Sequence, residues 1–265
     1  MIHKAKKSLG QNFLKSNIAL KKIIEAGEIL SDDIILEIGP GKGVLTEKLL
    51  EKSNCVIAVE KDRNLFQLLQ EKFKKEIENK KLILAEDDIL KFNIKQIIFE
   101  QDYKIIANIP YNITGAILKK FLTEKNQPNT MVLMVQHEVA KRIIANDKKE
   151  SILSVSVKAY GEPKMIMKVP ARYFSPAPKV DSAIIAIKNI SRKLFTSPQP
   201  SPYKGEGEYI NEEKFWEIIH AGFAHKRKKL SSNLKKCVRQ DLTQDLGNKR
   251  AEDLSLLNWI NIAKN

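Results

Sequence analysis

The sequence predicts an α/β fold in which a doubly wound, mostly parallel sheet precedes a small helical domain. Short apolar runs alternate with helical patterns between residues 33 and 136, which is typical of parallel strands joined by crossover helices. From residue 211 to residue 263 only helical patterns remain. A chain of 265 residues that is 43% hydrophobic can bury one large core and a smaller one.

The first predicted element is a helix over residues 16–30, because apolar residues recur on one side of it. Strands are then predicted at 33–38, 55–60, 81–86, 103–108 and 130–136. The patterns between and after them predict helices at 44–52, 63–75, 114–122, 137–145 and 151–160. Residues 164–169 and 182–187 predict two further strands that close the sheet as a hairpin-type pair.

Proline and glycine mark the border between the two predicted domains. The segments Ser197-Pro-Gln-Pro-Ser-Pro202 and Gly205-Glu-Gly207 predict a loop or linker. We therefore expect a first domain at 1–190, a linker at 191–210 and a helical domain at 211–265.

A glycine-rich loop follows the first strand, with the sequence Gly39-Pro-Gly41-Lys-Gly43. Glycines allow a backbone to approach a ligand closely. The third glycine comes one residue too early for a dinucleotide fingerprint, and the absence of Gly-Lys-Ser/Thr excludes a P-loop. Glu37, just before the loop, is either a buried structural acid or a ligand contact, and both interpretations stay open.

Carboxylates follow the next two strands. Glu60 lies 21 residues after Gly39, where an acid can hold the two ribose hydroxyls of a nucleoside. Asp88, with Asp87 as its close rival, could accept from an adenine amine while Ile89 packs on the ring. Acids at such positions can also be turn or helix-terminal residues. The spacing favours a nucleoside cofactor without a pyrophosphate, and S-adenosylmethionine is the first candidate.

A polar tetrapeptide, Asn108-Ile-Pro-Tyr111, follows the strand at 103–108. The Asn108 side-chain carbonyl can accept from an exocyclic amine, Pro110 fixes the turn, and Tyr111 offers a ring on which a base can stack. Such a tetrapeptide also marks ordinary turns. Together with the glycine loop it predicts chemistry on an amine attached to a flat ring, at the carboxyl ends of the strands.

The net charge of +14 is concentrated at two places. Residues 1–24 hold six lysines and residues 226–239 hold seven lysines or arginines, with no acid in either segment. The remaining chain carries 33 basic and 32 acidic residues. Solvated lysine-rich faces would give the same counts, but the paired clusters favour a protein that grips a nucleic-acid backbone.

The composition argues against a membrane or secreted protein. No apolar run reaches the length of a membrane span, and the amino terminus lacks the apolar stretch of a signal peptide. Cys55 and Cys237 make neither a disulfide framework nor a metal site. We expect inert thiols in a reducing cytoplasm.

Four motifs stand in order along the chain: Lys7-Ser-Leu-Gly-Gln-Asn-Phe-Leu14, Glu37-Ile-Gly-Pro-Gly41, Asn108-Ile-Pro-Tyr111 and Phe174-Ser-Pro-Ala-Pro-Lys-Val-Asp181. Together they resemble the ribosomal RNA adenine dimethyltransferase family, and the similarity covers nearly the whole chain. The basic segment 223–234 makes the chain most similar to the small-subunit branch of that family.

This resemblance implies a Rossmann-like, S-adenosyl-L-methionine-dependent methyltransferase domain. The implied reaction is dimethylation of the N6 amines of two adjacent adenosines near the 3′ end of 16S rRNA. The implied partner is 16S rRNA within the 30S subunit or its precursor, and we expect a monomer.

The implied catalytic residues are Asn108, Tyr111 and Phe174. Asn108 Oδ1 and a backbone carbonyl of Ile109 or Pro110 would accept the two amine protons, and the two aromatic rings would sandwich a flipped base. Isolated aromatics are more often core residues, and for Phe174 the resemblance carries most of the weight. The predicted cofactor contacts, of which Asn12 and Leu14 come from the resemblance alone, are Asn12, Leu14, Glu37, Gly39, Gly41, Glu60, Asp88, Ile89 and Asn108. The predicted RNA contacts are Lys226, Arg227, Lys228 and Lys229.

The chain departs from the family pattern at two places. Ile109 stands where leucine is usual, and the Pro/Gly-rich segment after residue 197 is longer than expected. Two other functions stay open at this point. One is a 23S rRNA dimethyltransferase that confers antibiotic resistance, and the other is a small-subunit assembly factor in which catalysis is secondary.

Overall fold

The computed structural model describes residues 5–6, 9–145, 147–195, 210–225, 227–239 and 246–264. The chain divides into two compact units, residues 1–140 with 162–190 and residues 141–161 with 191–265. The division expected from the sequence, at residue 190, differs from this one for residues 141–161. Most of the predicted linker, residues 196–209, lies outside the described residues.

The first unit is built on a twisted sheet, whose strands in chain order are β2 (Ile34–Ile38), β3 (Cys55–Glu60), β4 (Leu82–Glu86), β5 (Tyr103–Asn108), β6 (Thr130–Gln136), β7 (Glu162–Val169) and β9 (Ser182–Lys188). Their order across the sheet is β4-β3-β2-β5-β6-β9-β7. The strands from β4 to β6 are parallel, whereas β9 runs antiparallel to both β6 and β7. The predicted α/β fold and the closing strand pair are therefore confirmed.

The chain leaves β2 toward β3 and β4 on one side, then crosses back to β5 and continues to β6 on the other side. Strands β2 and β5 are thus neighbours whose connections diverge. In open α/β sheets this arrangement opens a crevice beyond the carboxyl ends of the strands. The glycine loop, the acids Glu60 and Asp88 and the tetrapeptide that begins at Asn108 all lie at the carboxyl ends of these parallel strands.

The helices of the first unit are α1 (Asn17–Gly27), α2 (Val44–Leu50), α3 (Arg63–Lys72), α4 (Lys74–Glu78), α5 (Lys95–Ile98) and α6 (Thr114–Thr123). A seventh helix, α7 (His137–Ile144), spans the border between the units. Helix α1 begins where the Ser16 side chain accepts from the Ala19 amide. It ends at Gly27, three residues before the predicted end, because the next residue, Glu28, has a left-handed backbone.

The predicted single helix at 63–75 is two helices, because the chain bends at Phe73. The Phe73 side chain is buried against the glycine loop, where a Cβ added to Gly43 would lie 2.5 Å from its ring. Gly43 also has a φ of +73°, which favours glycine. Burial of one aromatic ring therefore overrides local helix propensity.

A small antiparallel pair joins two distant segments, β1 (Phe13–Leu14) and β8 (Phe174–Ser175). The Lys15 amide extends the pairing by donating to the Tyr173 carbonyl at 2.8 Å. The sequence did not predict this pair, since two-residue strands carry no periodic signal.

The second unit contains α8 (Ile152–Lys158), α9 (Glu212–Phe223), α10 (Leu230–Leu234) and α11 (Leu256–Lys264). Trp259 is fully buried, and a Cβ at Gly222 would lie 2.4 Å from its ring. Tyr160 donates to Glu212 and accepts from the Trp216 indole, which fixes residues 141–161 within this unit. A membrane span needs a long apolar helix, and the described part of the chain contains none.

Candidate functional site

A cavity of about 260 Å³ opens at the carboxyl ends of the parallel strands in the first unit. Four chain segments carry most of its lining, the N-terminal segment 9–14, the glycine loop, residues 87–90 and the tetrapeptide that begins at Asn108. Every residue predicted to bind a cofactor lines this cavity: Asn12, Leu14, Glu37, Gly39, Gly41, Glu60, Asp88, Ile89 and Asn108.

The glycine loop takes a conformation that side chains disfavour. Gly39 and Gly41 have φ values of +64° and +61°. The Gly39 amide donates to the Val59 carbonyl at 2.9 Å, which ties the loop to β3. A Cβ on Gly41 would lie 3.1 Å from the ring of Phe13, which packs on this part of the loop. The loop backbone thus forms a wall of the cavity.

Glu60 lies at the end of β3 and is only 6% exposed. One carboxylate oxygen accepts from the Gly41 amide at 3.0 Å and the other from the Asp62 amide at 2.8 Å. Burial raises the pKa of this carboxyl group, while the two amide hydrogen bonds oppose the rise. Each oxygen keeps a second lone pair, so the group can still accept from ligand hydroxyls.

Glu37 lies deeper, with 1% of its surface exposed. Its carboxyl group accepts from the Thr46 hydroxyl at 2.6 Å. Burial raises the pKa of Glu37 to about 8, against the opposing effect of the Thr46 hydrogen bond. The group therefore holds a proton at neutral pH. It lines the cavity and also braces α2, so both interpretations of this acid have a structural basis.

Asp88 is held at the rim by two contacts. Its carboxylate accepts from the Leu90 amide at 3.0 Å and from Lys61 at 2.9 Å. The Lys61 hydrogen bond holds the pKa of Asp88 below its usual range. Asp87 instead accepts from the Asp88 amide at 2.6 Å and so shapes the turn. Ile89, beside them, is buried and lines the cavity.

The N-terminal segment is fastened over the cavity at Asp62. This buried carboxylate accepts from Lys6 and from Gln11, each at 2.8 Å, and caps α3 by accepting from the Asn64 amide at 3.0 Å. Between these contacts and the β1–β8 pair, the Asn12 carbonyl accepts from the Asn108 side chain at 3.2 Å.

The tetrapeptide leaves β5 as expected from the sequence, with Asn108 as the last residue of the strand. Since the Asn12 carbonyl can only accept, the Asn108 nitrogen must face it and Oδ1 is turned away from it. The Pro110 carbonyl already accepts from the Ile113 amide at 3.3 Å. Tyr111, in a 3₁₀ turn, is half-buried and lines the cavity.

The two predicted aromatic partners lie in different environments. The Tyr111 hydroxyl is 2.5 Å from the Ser182 hydroxyl. Phe174, in contrast, is 2% exposed, belongs to the hydrophobic core and is absent from the cavity lining. Its strand pairs with β1, so that Phe174 lies opposite Leu14. In this structure Phe174 is therefore a core residue behind the cavity wall, and stacking on a base would require its ring to move.

Three of the N-terminal lysines form ion pairs with acids. Lys6 pairs with Asp62, and Lys21 and Lys22 both pair with Glu25, just beyond the segment that contains no acid. Lys4 and Lys7 lie outside the described residues.

In the second unit, Arg227, Lys228 and Lys229 are exposed, and within the described residues none of them forms an ion pair. Lys226 lies outside the described residues. The Leu230 amide donates to the Lys249 carbonyl at 2.9 Å, which brings a second exposed basic pair alongside. We call the set the basic surface: Arg227, Lys228, Lys229, Lys249 and Arg250.

Sequence reasoning missed several residues of the site. Gln11 and Phe13 belong to the recognised motif at residues 7–14, in which only Asn12 and Leu14 were assigned a role. Asp62 follows Glu60 by two residues, and Ser182 directly follows a recognised motif. Their contacts join residues that are far apart in sequence, and adjacency to the motifs was the one available signal.

Three comparisons with known proteins show what this chain is similar to. A family model described as ribosomal RNA adenine dimethylase matches residues 2–265. The chain is similar to the ribosomal RNA small subunit methyltransferase A of Dehalococcoides mccartyi, at 41% identity over 260 residues, 98% of this chain and 81% of the relative.

Solved structures give the same result for the fold. A dimethyladenosine transferase from Plasmodium falciparum superposes with a TM-score of 0.78 and 27% identity, over 94% of this chain and 95% of that chain. The 23S rRNA methyltransferase ErmE superposes with a TM-score of 0.72 over 96% of this chain and 100% of that chain. Its identity of 22% supports likeness of fold alone.

Proposed function

Because the chain belongs to the ribosomal RNA adenine dimethylase family, we propose that it dimethylates the N6 amines of two adjacent adenosines near the 3′ end of 16S rRNA, with S-adenosylmethionine as the methyl donor. The family predicted from the four motifs is thereby confirmed. One observation supports this chemistry most directly. The Asn108 side-chain nitrogen donates to the Asn12 carbonyl, so that Oδ1 is left to accept from a substrate amine.

The residues of the cavity fit a nucleoside cofactor. Gly39 and Gly41 present backbone without side chains, and the buried Glu60 carboxylate retains lone pairs for ribose hydroxyls. Asp88 can accept from an adenine amine, with the apolar Ile89 beside it. We assign cofactor binding to these residues, together with the covering segment that contains Asn12 and Leu14.

S-adenosylmethionine supplies a methyl group on a sulfonium, which is already a good leaving group. The chain's task is then to position the adenine amine and to compensate the positive charge that develops on its nitrogen. We propose that Asn108 Oδ1 accepts a hydrogen bond from one N–H of the amine. For the second, the Ile109 carbonyl is the better candidate, because the Pro110 carbonyl already accepts from Ile113. The proton that the methylated nitrogen then carries is acidic and passes to water, so no side chain has to act as a general base.

A stacked or paired adenine cannot enter such a cavity, so the target base must be flipped or unpaired. We propose that the Tyr111 ring stacks on it. Phe174 was expected to form the other half of a sandwich. From its core position we instead infer that its strand holds β1 in place, and direct contact with the base would need Phe174 to leave the core.

The RNA itself is proposed to lie on the basic surface of the second unit. Phosphate contacts position a nucleic acid without reading its sequence, which suits exposed lysines and arginines. The substrate we propose is 16S rRNA within the 30S subunit or its precursor, in the cytoplasm. We propose that the chain acts as a monomer.

The test is methyl transfer from labelled S-adenosylmethionine to unmethylated 30S particles, with 23S rRNA and unrelated DNA in parallel. We expect N6,N6-dimethyladenosine in 16S rRNA, and its loss in Asn108→Ala. Label on 23S rRNA would instead indicate a resistance enzyme. Tight binding to 30S particles without any label would indicate an assembly factor and would overturn the catalytic assignments.

A further inference from the structure

The geometry points to Ser182 as a positioning residue for methyl transfer, which holds the Tyr111 ring in the orientation that stacks on the target adenine. This inference rests on the proposed function, since it assumes that Tyr111 contacts the base. It is carried by the 2.5 Å contact between the two hydroxyl groups, which lie 71 residues apart in sequence.

Ser182 is a rigid point of attachment. It is fully buried and is the first residue of β9, where it pairs with Gln136 on one side and Val169 on the other. The residue before it, Asp181, is fixed as well, because its carbonyl accepts from the His137 amide at 3.0 Å. A side chain held by two neighbouring strands has little freedom to move with its partner.

Tyr111, by comparison, lies in a short 3₁₀ turn after Pro110. The turn is held by the Thr114 hydroxyl, which donates to the Tyr111 carbonyl at 3.1 Å, but this contact fixes the backbone and not the ring. Burial raises the pKa of the Tyr111 hydroxyl, with the Ser182 hydrogen bond opposing. The phenol is therefore neutral, and its hydroxyl is the polar end by which a buried tyrosine is normally anchored.

Asp181, the residue before Ser182, also holds the turn that leads into the strand of Phe174. The Asp181 carboxylate accepts from the Ala171 amide at 3.0 Å and pairs with Lys168 at 2.9 Å. Ala171 begins the 3₁₀ turn that leads into β8 and hence into the pairing with β1. Asp181 and Ser182 thus hold the Tyr111 hydroxyl and the turn that leads into β8 from one point at the start of β9.

A purely structural role is the competing explanation. Buried hydroxyls need a partner wherever they occur, and Ser182 could simply satisfy its own hydrogen bond at the start of a strand. In that case its removal would lower stability without a selective effect on the chemical step. A positioning role predicts that kcat falls while cofactor affinity does not change.

The experiment compares Ser182→Ala, Tyr111→Phe and the double variant in methyl transfer to 30S particles. Tyr111→Phe keeps the ring and removes one oxygen, so it breaks the same contact from the other side. We expect each single variant to lower kcat by about 10- to 100-fold, with the dissociation constant of S-adenosylmethionine within about twofold of wild type. The double variant should be no slower than the slower single variant, because both remove one interaction.

A second readout follows the base directly. With 2-aminopurine at the target position, stacking on Tyr111 should quench fluorescence in the wild type and less so in both single variants. Ser182→Thr restores the hydroxyl and should recover part of the activity. If Ser182→Ala does not fold, Tyr111→Phe still tests the contact.

Wild-type kcat in Tyr111→Phe, or losses that multiply in the double variant, would overturn the role of Ser182 while leaving the proposed function intact. A wild-type protein that methylates no RNA would overturn both.

Discussion

The Asn108 side-chain nitrogen donates to the Asn12 carbonyl at 3.2 Å, across 96 residues of sequence. The contact joins segment 9–14, which lines the proposed cofactor cavity, to the residue proposed to accept a hydrogen bond from the target amine. The orientation of the Asn108 amide therefore depends on where the N-terminal segment lies.

Two substitutions of Asn108 separate these roles. Asn108→Ala removes the acceptor and should lower kcat by about 100- to 1,000-fold, as for the removal of other transition-state hydrogen bonds. Asn108→Asp keeps an acceptor oxygen but places a carboxylate against the Asn12 carbonyl. Repulsion should displace the covering segment, so cofactor affinity is expected to fall more in Asn108→Asp than in Asn108→Ala. Equal cofactor affinities, measured by calorimetry, would contradict the coupling.

Asp62 tests the fastening of the covering segment. Asn can replace Asp as a helix cap, so Asp62→Asn preserves α3 but removes the negative charge that pairs with Lys6. We expect weaker cofactor binding in this variant with little loss of stability. Asp62→Ala also removes the cap and should lose about a further 1 kcal/mol of stability. Unchanged cofactor affinity in both variants would show that the fastening does not matter for binding.

Glu37 predicts a pH dependence of cofactor binding. Burial raises its pKa to about 8, so the ligand-free protein holds a proton there at neutral pH. A positively charged ligand nearby favours the carboxylate and releases that proton. Affinity should therefore rise with pH toward about 8 and then level off. Calorimetry at pH 7 in buffers of different ionisation enthalpy should detect proton release in the wild type and none in Glu37→Gln.

The Glu37 carboxyl group also affects the stability of the ligand-free protein, which should fall with rising pH whereas cofactor affinity rises. Its pKa is raised by folding from an ordinary value of 4.5, so the folded state binds more protons than the unfolded chain. The stability it contributes is present below pH 4.5 and is lost as pH rises toward about 8. Glu37→Gln should lack this component when the free energy of unfolding is measured against pH.

Replacing Gly43 with alanine should lower the free energy of unfolding, and Gly115→Ala is the matched control. Alanine there would take a φ of +73° and place its Cβ 2.5 Å from the Phe73 ring. Strain and overpacking together should cost about 2 to 4 kcal/mol in the free energy of unfolding. Gly115→Ala, in α6, meets nothing within 4 Å and should leave stability unchanged or raise it by up to about 1 kcal/mol. Similar losses in both variants would refute the packing argument.

The basic surface predicts a salt-dependent loss of RNA affinity. Replacing Arg227, Lys228 and Lys229 with Ala should weaken binding and reduce the slope of log affinity against log salt by about 0.7 to 0.9 for each phosphate that is no longer neutralised. Lys249→Ala with Arg250→Ala should do the same. Lys214→Ala, an exposed lysine on α9, is the matched control. A slope equal to wild type in the first variant would exclude this surface as the RNA-binding face.

The predicted strands of the sheet appear within two residues of their expected bounds, because continuous apolar runs are a local signal. Helix ends were less accurate. The helix expected at 63–75 breaks at Phe73, since burial of its ring against Gly43 is a long-range effect. The short helix at Lys95–Ile98 was not expected at all.

The parallel sheet, the glycine loop and the polar residues at the strand ends, including Glu60 and Asn108, could all be predicted from the sequence. These depend on neighbours in the chain, and the topology of a parallel sheet then brings the strand ends to one edge.

The contacts that hold the site together could be seen only in the folded chain. The contacts of Gln11 with Asp62 and of Tyr111 with Ser182 join residues 51 and 71 positions apart. The core position of Phe174 is of the same kind, because it follows from pairing with β1 at Leu14. Such contacts leave no periodic pattern in the chain, since they depend on where separate segments meet after folding.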